Sequence, residues 1–387
     1  MKFDFDKKVD RKNIYSMKWN VGQDELPMWV ADMDFETAPV VKEAILDRAM
    51  NGTFGYTDIP DSWYEAYQNW WSSRHNFEIE KDWLIYSTGA IPTISSTVRK
   101  LTSPGEKVLV MTPIYHIFFN SIVNNGRFIV ESPLQYENGN YSVDYEDLEE
   151  KLSDPQLSLM IMCNPHNPNG YIYSREELAK IGGLCKKYGV YVISDEVHCD
   201  LLDPGYEYCP FAAASKDCLE MSISCLAPSK TFNIAGITTS AVMVYDPIIR
   251  HKVWRQLNTD ECGEPNAFAV TVTEAAFNHG GEWLDELRAY VLGNKDYVRN
   301  FIGEKLPKIK VVSGHATYML WLDISALSDD SADFAQRLRD KTGLYVSDGA
   351  EFSGNGNRFL RINLACPRDY VVEAMKRLEY FLENCEF

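Results

Sequence analysis

The sequence predicts an α/β fold built on a mainly parallel sheet, with a smaller α+β lobe following it. Two observations carry this expectation. Through the middle of the chain, apolar β-rich runs alternate with helical stretches, as strands joined by crossover helices do. After Glu282 the rhythm changes to one long helix, then short strands and two further helices. At 387 residues, 45% hydrophobic and 24% charged, the chain is long enough for two lobes and a sizeable core.

Taken in order, Ser87-Thr88-Gly89-Ala90-Ile91 leads into a helix expected from about residue 92. Residues 107–111 read as a strand, 115–124 as a helix and 127–131 as a strand. The apolar run Leu157–Cys163 is a strand, 175–187 a helix and 190–193 a strand, and a further apolar run covers 221–225. In the second part the long helix reaches about residue 306. Short strands at 310–312 and 317–323 precede helices at 332–341 and 369–383. Gly280-Gly281 or the long helix itself marks the linker. No repeat or low-complexity segment interrupts the chain.

A formal charge of -18 disfavours attraction to nucleic acid phosphates and to anionic membranes. The first ten residues alternate charge and aromatics without an apolar core, and no run approaches the length of a membrane span. Nine scattered cysteines lack any C-x-x-C pair and suit buried thiols in a reducing compartment. A cytoplasmic protein is expected, with no metal site.

Three segments carry chemistry: Asn164-Pro165-His166-Asn167-Pro168-Asn169-Gly170, Ser194-Asp195-Glu196-Val197-His198 and Ala227-Pro228-Ser229-Lys230-Thr231-Phe232-Asn233. Alone, the first is a pair of turns, the second a solvated strand end and the third a surface loop. Together they differ, because each follows an apolar run. In open α/β sheets ligands bind outside the carboxyl ends of the strands, so all three can face one crevice. A lysine amine forms a Schiff base with an aldehyde cofactor. An asparagine amide hydrogen-bonds its phenolic oxygen, and a buried carboxylate keeps its pyridine nitrogen protonated. Adjacent strand residues point to opposite faces, so only one of Asp195 and Glu196 meets such a ring.

On these residues the chain resembles fold-type I pyridoxal phosphate (PLP) enzymes of the class I/II aminotransferase superfamily. Within it, the chain is most similar to the cystathionine β-lyase, or cysteine C–S lyase, branch. The resemblance runs from Pro27-Met28-Trp29-Val30-Ala31-Asp32-Met33-Asp34-Phe35 to Phe359-Leu360-Arg361-Ile362-Asn363. It implies a seven-stranded sheet in a large PLP domain over residues 46–282 and a small domain over 283–387. The N-terminal arm, 1–45, then packs with that small domain.

The resemblance also implies roles. Lys230 carries the cofactor, Asp195 meets the pyridine nitrogen, and Asn164 contacts both the phenolic oxygen and the substrate carboxylate. Tyr115 stacks on the ring. Gly89, Ala90 and Ile91 offer backbone N–H groups to the phosphate at a helix N-terminus, an arrangement suited to anions; Thr88 capping is the simpler alternative. Ser229 adds a hydroxyl. His198 stands where related enzymes carry a tyrosine, and its ring suits the phenolic oxygen. Tyr56, in Phe54-Gly55-Tyr56-Thr57, resembles the tyrosine that family homodimers reach across to the neighbouring phosphate. Arg361 matches the substrate α-carboxylate, whose shape fits a guanidinium fork; a structural ion pair is its bland alternative. His116 is a weaker candidate for assisting the departing thiolate.

One departure separates the rival activities. Superfamily aminotransferases usually place an arginine eight residues after the lysine, and here that position is Thr238. The expected activity is therefore β-elimination from L-cystathionine or a related cysteine thioether, giving a thiol, pyruvate and ammonia. In that reaction the freed Lys230 amine removes the Cα proton. Amino transfer is the first rival, and a regulatory protein retaining PLP the second.

Overall fold

A computed structural model describes residues 2–385. Its centre is a seven-stranded sheet. In chain order its strands are β1 (Leu84–Ser87), β2 (Lys107–Thr112), β3 (Phe128–Pro133), β4 (Leu157–Cys163), β5 (Tyr191–Asp195), β6 (Ser222–Leu226) and β7 (Ser240–Met243), arranged in space as β1-β7-β6-β5-β4-β2-β3. Only β7 runs against its neighbours, β1 and β6; the other pairings are parallel. The expected mainly parallel, seven-stranded sheet is the one observed.

Strand residues alternate between two apolar layers, as the pleat requires. Val108, Val110, Leu159 and Ile161 pack with Ile94, Val98, Phe118 and Ile249 on one face. Leu109, Met111, Met160 and Met162 pack with Leu178 and Ile181 on the other. Both faces are covered by helices, which is why these strands read as continuous apolar runs. The helix Arg175–Tyr188 starts with a capping box in which the Ser174 hydroxyl accepts from the Glu177 N–H and the Glu177 side chain returns to Ser174.

The second sheet is antiparallel, formed by β8 (Lys310–Val311), β9 (Met319–Asp323), β10 (Ser347–Asp348) and β11 (Phe359–Asn363) in the order β8-β9-β11-β10. It follows the 25-residue helix Gly281–Lys305, matching the long helix expected from the sequence. The two-residue strand Leu26–Pro27 pairs in parallel with Leu344–Tyr345 as a separate two-stranded sheet, and the Asn363 N–H donates to the Met28 carbonyl at 2.9 Å, which brings the N-terminal arm against β11. One local expectation changes: the helix after β2 is Ile117–Val123. Tyr115 and His116 therefore stand just before it, their carbonyls accepting from the Phe118 and Phe119 N–H groups at 3.1 Å.

Candidate active site

Because β7 alone is reversed, the carboxyl ends of β1, β2, β4, β5 and β6 share one edge of the sheet. Every one of them is followed by a residue singled out above: Gly89 after β1, Tyr115 after β2, Asn164 after β4 and Lys230 after β6, while Asp195 closes β5.

Asp195 is buried, and a Val197 N–H at 3.3 Å is the hydrogen bond its carboxylate receives. Burial raises its pKa to about 7 against the opposing effects of that N–H and of Lys230. Glu196 faces the other way and is fully used, accepting from Tyr208, from Ser194 at 2.7 Å and from the Phe211 N–H at 3.0 Å. The alternation that selects Asp195 is thus visible in the partners of each carboxylate.

Lys230 points its amine at the Ala31 carbonyl, 2.7 Å away. Burial lowers its pKa; Asp32 and Asp195 oppose that shift while the Arg361 charge adds to it. Asn164 is fully buried, donates to the Cys209 carbonyl at 2.9 Å, and leaves its Oδ1 without a partner. His198 is buried with an unpartnered Nδ1, and burial together with the Lys230 and Arg361 charges depresses it to about 3. The imidazole is therefore neutral at physiological pH, with one nitrogen to donate and one to accept.

The helix Ala90–Leu101 has no side-chain cap, so Thr88 does not serve it. Ala90 and Ile91 open its first turn behind the extended Gly89, and the first-turn N–H groups of a helix have no partner within it. Thr238 sits in a left-handed turn (φ 54°), where its hydroxyl accepts from Asn266 at 3.2 Å. Tyr56 stands apart, fully exposed at the rim of a cavity shared with Glu261, Gly263, Glu264 and Pro265.

Arg361 lies buried on β11. It donates to Asn167 Oδ1 at 3.1 Å, the Trp29 carbonyl at 3.0 Å and the Ser347 hydroxyl at 3.2 Å, and its Nε has no partner. Among the described residues no carboxylate pairs with it, so the structural ion pair weighed above is not its role. Burial lowers its pKa to about 10, and at neutral pH it stays charged.

The sequence reading did not find the part played by the N-terminal arm. Ala31 supplies one carbonyl to both Lys230 and the Tyr318 hydroxyl (2.9 Å), and Trp29 supplies another to Arg361. Asn363 donates to the Val30 and Asp32 carbonyls at 2.7 and 2.6 Å, fixing the segment against β11. The match at residues 27–35 was the available signal. Backbone carbonyls, however, leave no mark in residue identity.

These features fit PLP. A buried acid short of partners suits a pyridinium, and the unpartnered Asn164 and His198 atoms suit polar groups on the ring. An uncapped helix start suits a phosphate. Residues 24–378 match the family model described as aminotransferase class I and II. The chain belongs to that family. It is 40% identical to cystathionine beta-lyase PatB of Bacillus subtilis, over 97% of this chain and 98% of the other. The structure of cystalysin from Treponema denticola, which contains pyridoxal 5'-phosphate, matches with a TM-score of 0.95 at 32% identity, covering 99% of this chain and all of that one (100%). The PLP-bound C–S lyase of Staphylococcus hominis, complexed with the inhibitor L-cycloserine, matches with a TM-score of 0.93 at 31% identity, covering 100% of both chains.

Proposed function

We propose that this chain is a PLP-dependent carbon–sulfur β-lyase that cleaves L-cystathionine or a related cysteine thioether to a thiol, pyruvate and ammonia. The observation that carries the reading is a buried guanidinium with no carboxylate, set close to a lysine amine and a partner-poor buried acid. An α-amino acid supplies the missing carboxylate. Elimination is preferred to amino transfer on the full-length similarity to a cystathionine β-lyase and to C–S lyases, together with Thr238 in place of the usual arginine.

When bound, PLP supplies a protonated pyridine ring that accepts the electron pair left at the substrate Cα. The residues assigned to hold it are Lys230, Asp195, Asn164, His198, Tyr115, Ser229 and the N–H groups of Gly89, Ala90 and Ile91. Arg361 orients the substrate through its carboxylate, aided by Asn164. Lys230, its amine lowered toward neutrality by burial, removes the Cα proton. With that proton gone, the C–S bond breaks and sulfur leaves with its electron pair. Hydrolysis of the three-carbon remainder gives pyruvate and ammonia.

The same reading divides the chain at 45/46 and 282/283, supported by the pairing of Leu26–Pro27 with Leu344–Tyr345. It also makes the protein a homodimer with Tyr56 donated across the interface, since Met50, Phe54 and Tyr56 are exposed and Thr238 leaves the phosphate without the usual arginine. A cytoplasmic location suits nine unpaired cysteines. No helix among the described residues is long and apolar enough to cross a membrane.

The test is incubation with L-cystathionine and no keto acid, following thiol and pyruvate together. Equimolar release over many turnovers is expected. A single stoichiometric conversion, rescued only by added keto acid, would replace this reading with amino transfer. Sedimentation of the same preparation is expected to show a dimer, and an active monomer would remove the shared Tyr56.

A further inference from the structure

In elimination sulfur leaves with the C–S electron pair, and a proton must reach it. An alkyl thiolate is a poor leaving group, and a positioned acid that protonates sulfur as the C–S bond breaks lowers the barrier. Lys230 holds the Cα proton at that stage, and a second acid beside sulfur would spare that proton the passage from Cα to sulfur.

We propose that His116, paired with Glu351, protonates the departing sulfur. The proposal rests on the lyase reading above. His116 directly follows Tyr115 and precedes the helix Ile117–Val123, with its Nδ1 buried and without a hydrogen-bond partner. Glu351 Oε2 lies 3.9 Å from that nitrogen, too far for a hydrogen bond and near enough to favour a charged ring. Phe352 links this pair to the carboxylate clamp. The His116 ring meets Phe352 edge-on at 5.6 Å, and the Arg361 guanidinium lies over the same Phe352 ring at 4.7 Å. A substrate whose carboxylate rests on Arg361 therefore has His116 on the adjoining wall. Glu351 also lines a cavity of about 250 Å³ together with Trp29 and Ser347, both of which hold Arg361.

The electrostatics supply a trigger. The charged or titratable groups facing the pair are Arg361 on β11, Tyr115 in the connection before the helix, and Asp348 on β10. Burial lowers the His116 pKa and Arg361 lowers it further. Burial and Asp348 raise that of Glu351, and Arg361 again opposes protonation. A substrate carboxylate offsets the Arg361 charge and shifts both groups toward the protonated form, so the pair takes up a proton as the substrate arrives. The imidazolium N–H then gives its proton to sulfur, and the C–S electron pair goes to sulfur. The pair left at Cα becomes the Cα–Cβ double bond, and a neutral thiol departs. Neutral His116 regains its proton from solvent beside Glu351.

His116→Gln and Glu351→Gln, each loaded with PLP, would be compared with wild type on S-ethyl-L-cysteine and β-chloro-L-alanine. Chloride leaves without a proton; an alkyl thiolate does not leave readily. His116→Gln is expected to lose about tenfold or more in kcat on the thioether, with a smaller change in KM, and far less on the chloride. Glu351→Gln is expected to lose less than His116→Gln in the same pattern. An unchanged visible spectrum of the bound cofactor would show that loading is intact. Equal losses on both substrates, or no loss on the thioether, would overturn the assignment. Wild-type protein that releases no thiol from S-ethyl-L-cysteine or L-cystathionine would overturn the lyase reading together with it, which separates the two failures.

Discussion

Lys18 and Arg361 are both buried cations, 0% and 3% exposed, yet only Lys18 has a carboxylate against it. Its Nζ lies 2.7 Å from Asp34, which also accepts from Arg11 at 2.8 Å and from the Trp19 indole at 2.7 Å. Lys295 is likewise buried and paired, 2.6 Å from Asp203, with His315 at 3.2 Å and Arg299 at 3.5 Å completing the cluster. At the sheet edge the opposite holds: Arg361 lacks an anion and Asp195 lacks a close cation. Burying a charge is costly unless a partner offsets it. The arm and the long helix find that partner within the chain. The site leaves the role open, which is what a binding site for a pyridinium and a carboxylate requires.

The contrast can be broken by exchanging one residue in each region. Asp34→Ala leaves buried Lys18 with only the more distant Asp32 carboxylate, at 3.8 Å, and is expected to cost about 3 kcal/mol in denaturant unfolding. Arg361→Met keeps the volume and removes an already unpaired charge, so stability should change by less than about 1 kcal/mol or rise. Its loss is expected in kcat/KM, by about 2–5 kcal/mol of carboxylate recognition. If Arg361→Met unfolds as readily as Asp34→Ala, Arg361 is structural and the distinction fails.

A smaller effect sharpens the comparison through pH. Burial raises Asp195 from its ordinary 3.8 to about 7 in the protein without cofactor. The folded state then holds a proton that the unfolded chain has released, so this contribution to stability is full below about pH 4. It is lost as pH rises through about 7. Denaturant midpoints of cofactor-free protein at pH 5 and pH 7.5 are expected to fall further for wild type than for Asp195→Asn. Equal falls in the two proteins would remove Asp195 as the source.

Much of the large-sheet wall was legible because its chemistry sits at strand ends. Leu157–Cys163 was located to the residue, and the strand expected at 190–193 extends two positions to place Asp195 at its close. The short strands Leu84–Ser87 and Ser240–Met243 escaped notice, since four residues containing serine give little periodic signal. The sequence places Tyr115 inside a helix that begins two residues later. The opposite wall was legible only at Arg361. Ala31 meets Lys230 across 199 positions of sequence through a carbonyl that any residue provides. Asn167 reads from its motif as a turn residue, and only the folded chain shows it holding the guanidinium.

The central claim is that the partner-poor groups surround a cofactor bound to Lys230. Borohydride reduction of the PLP-loaded protein, followed by peptide mapping, tests it most directly. The account predicts one pyridoxyl label, on the peptide containing Lys230, and none in Lys230→Ala. A label on another lysine in the wild-type protein would contradict it.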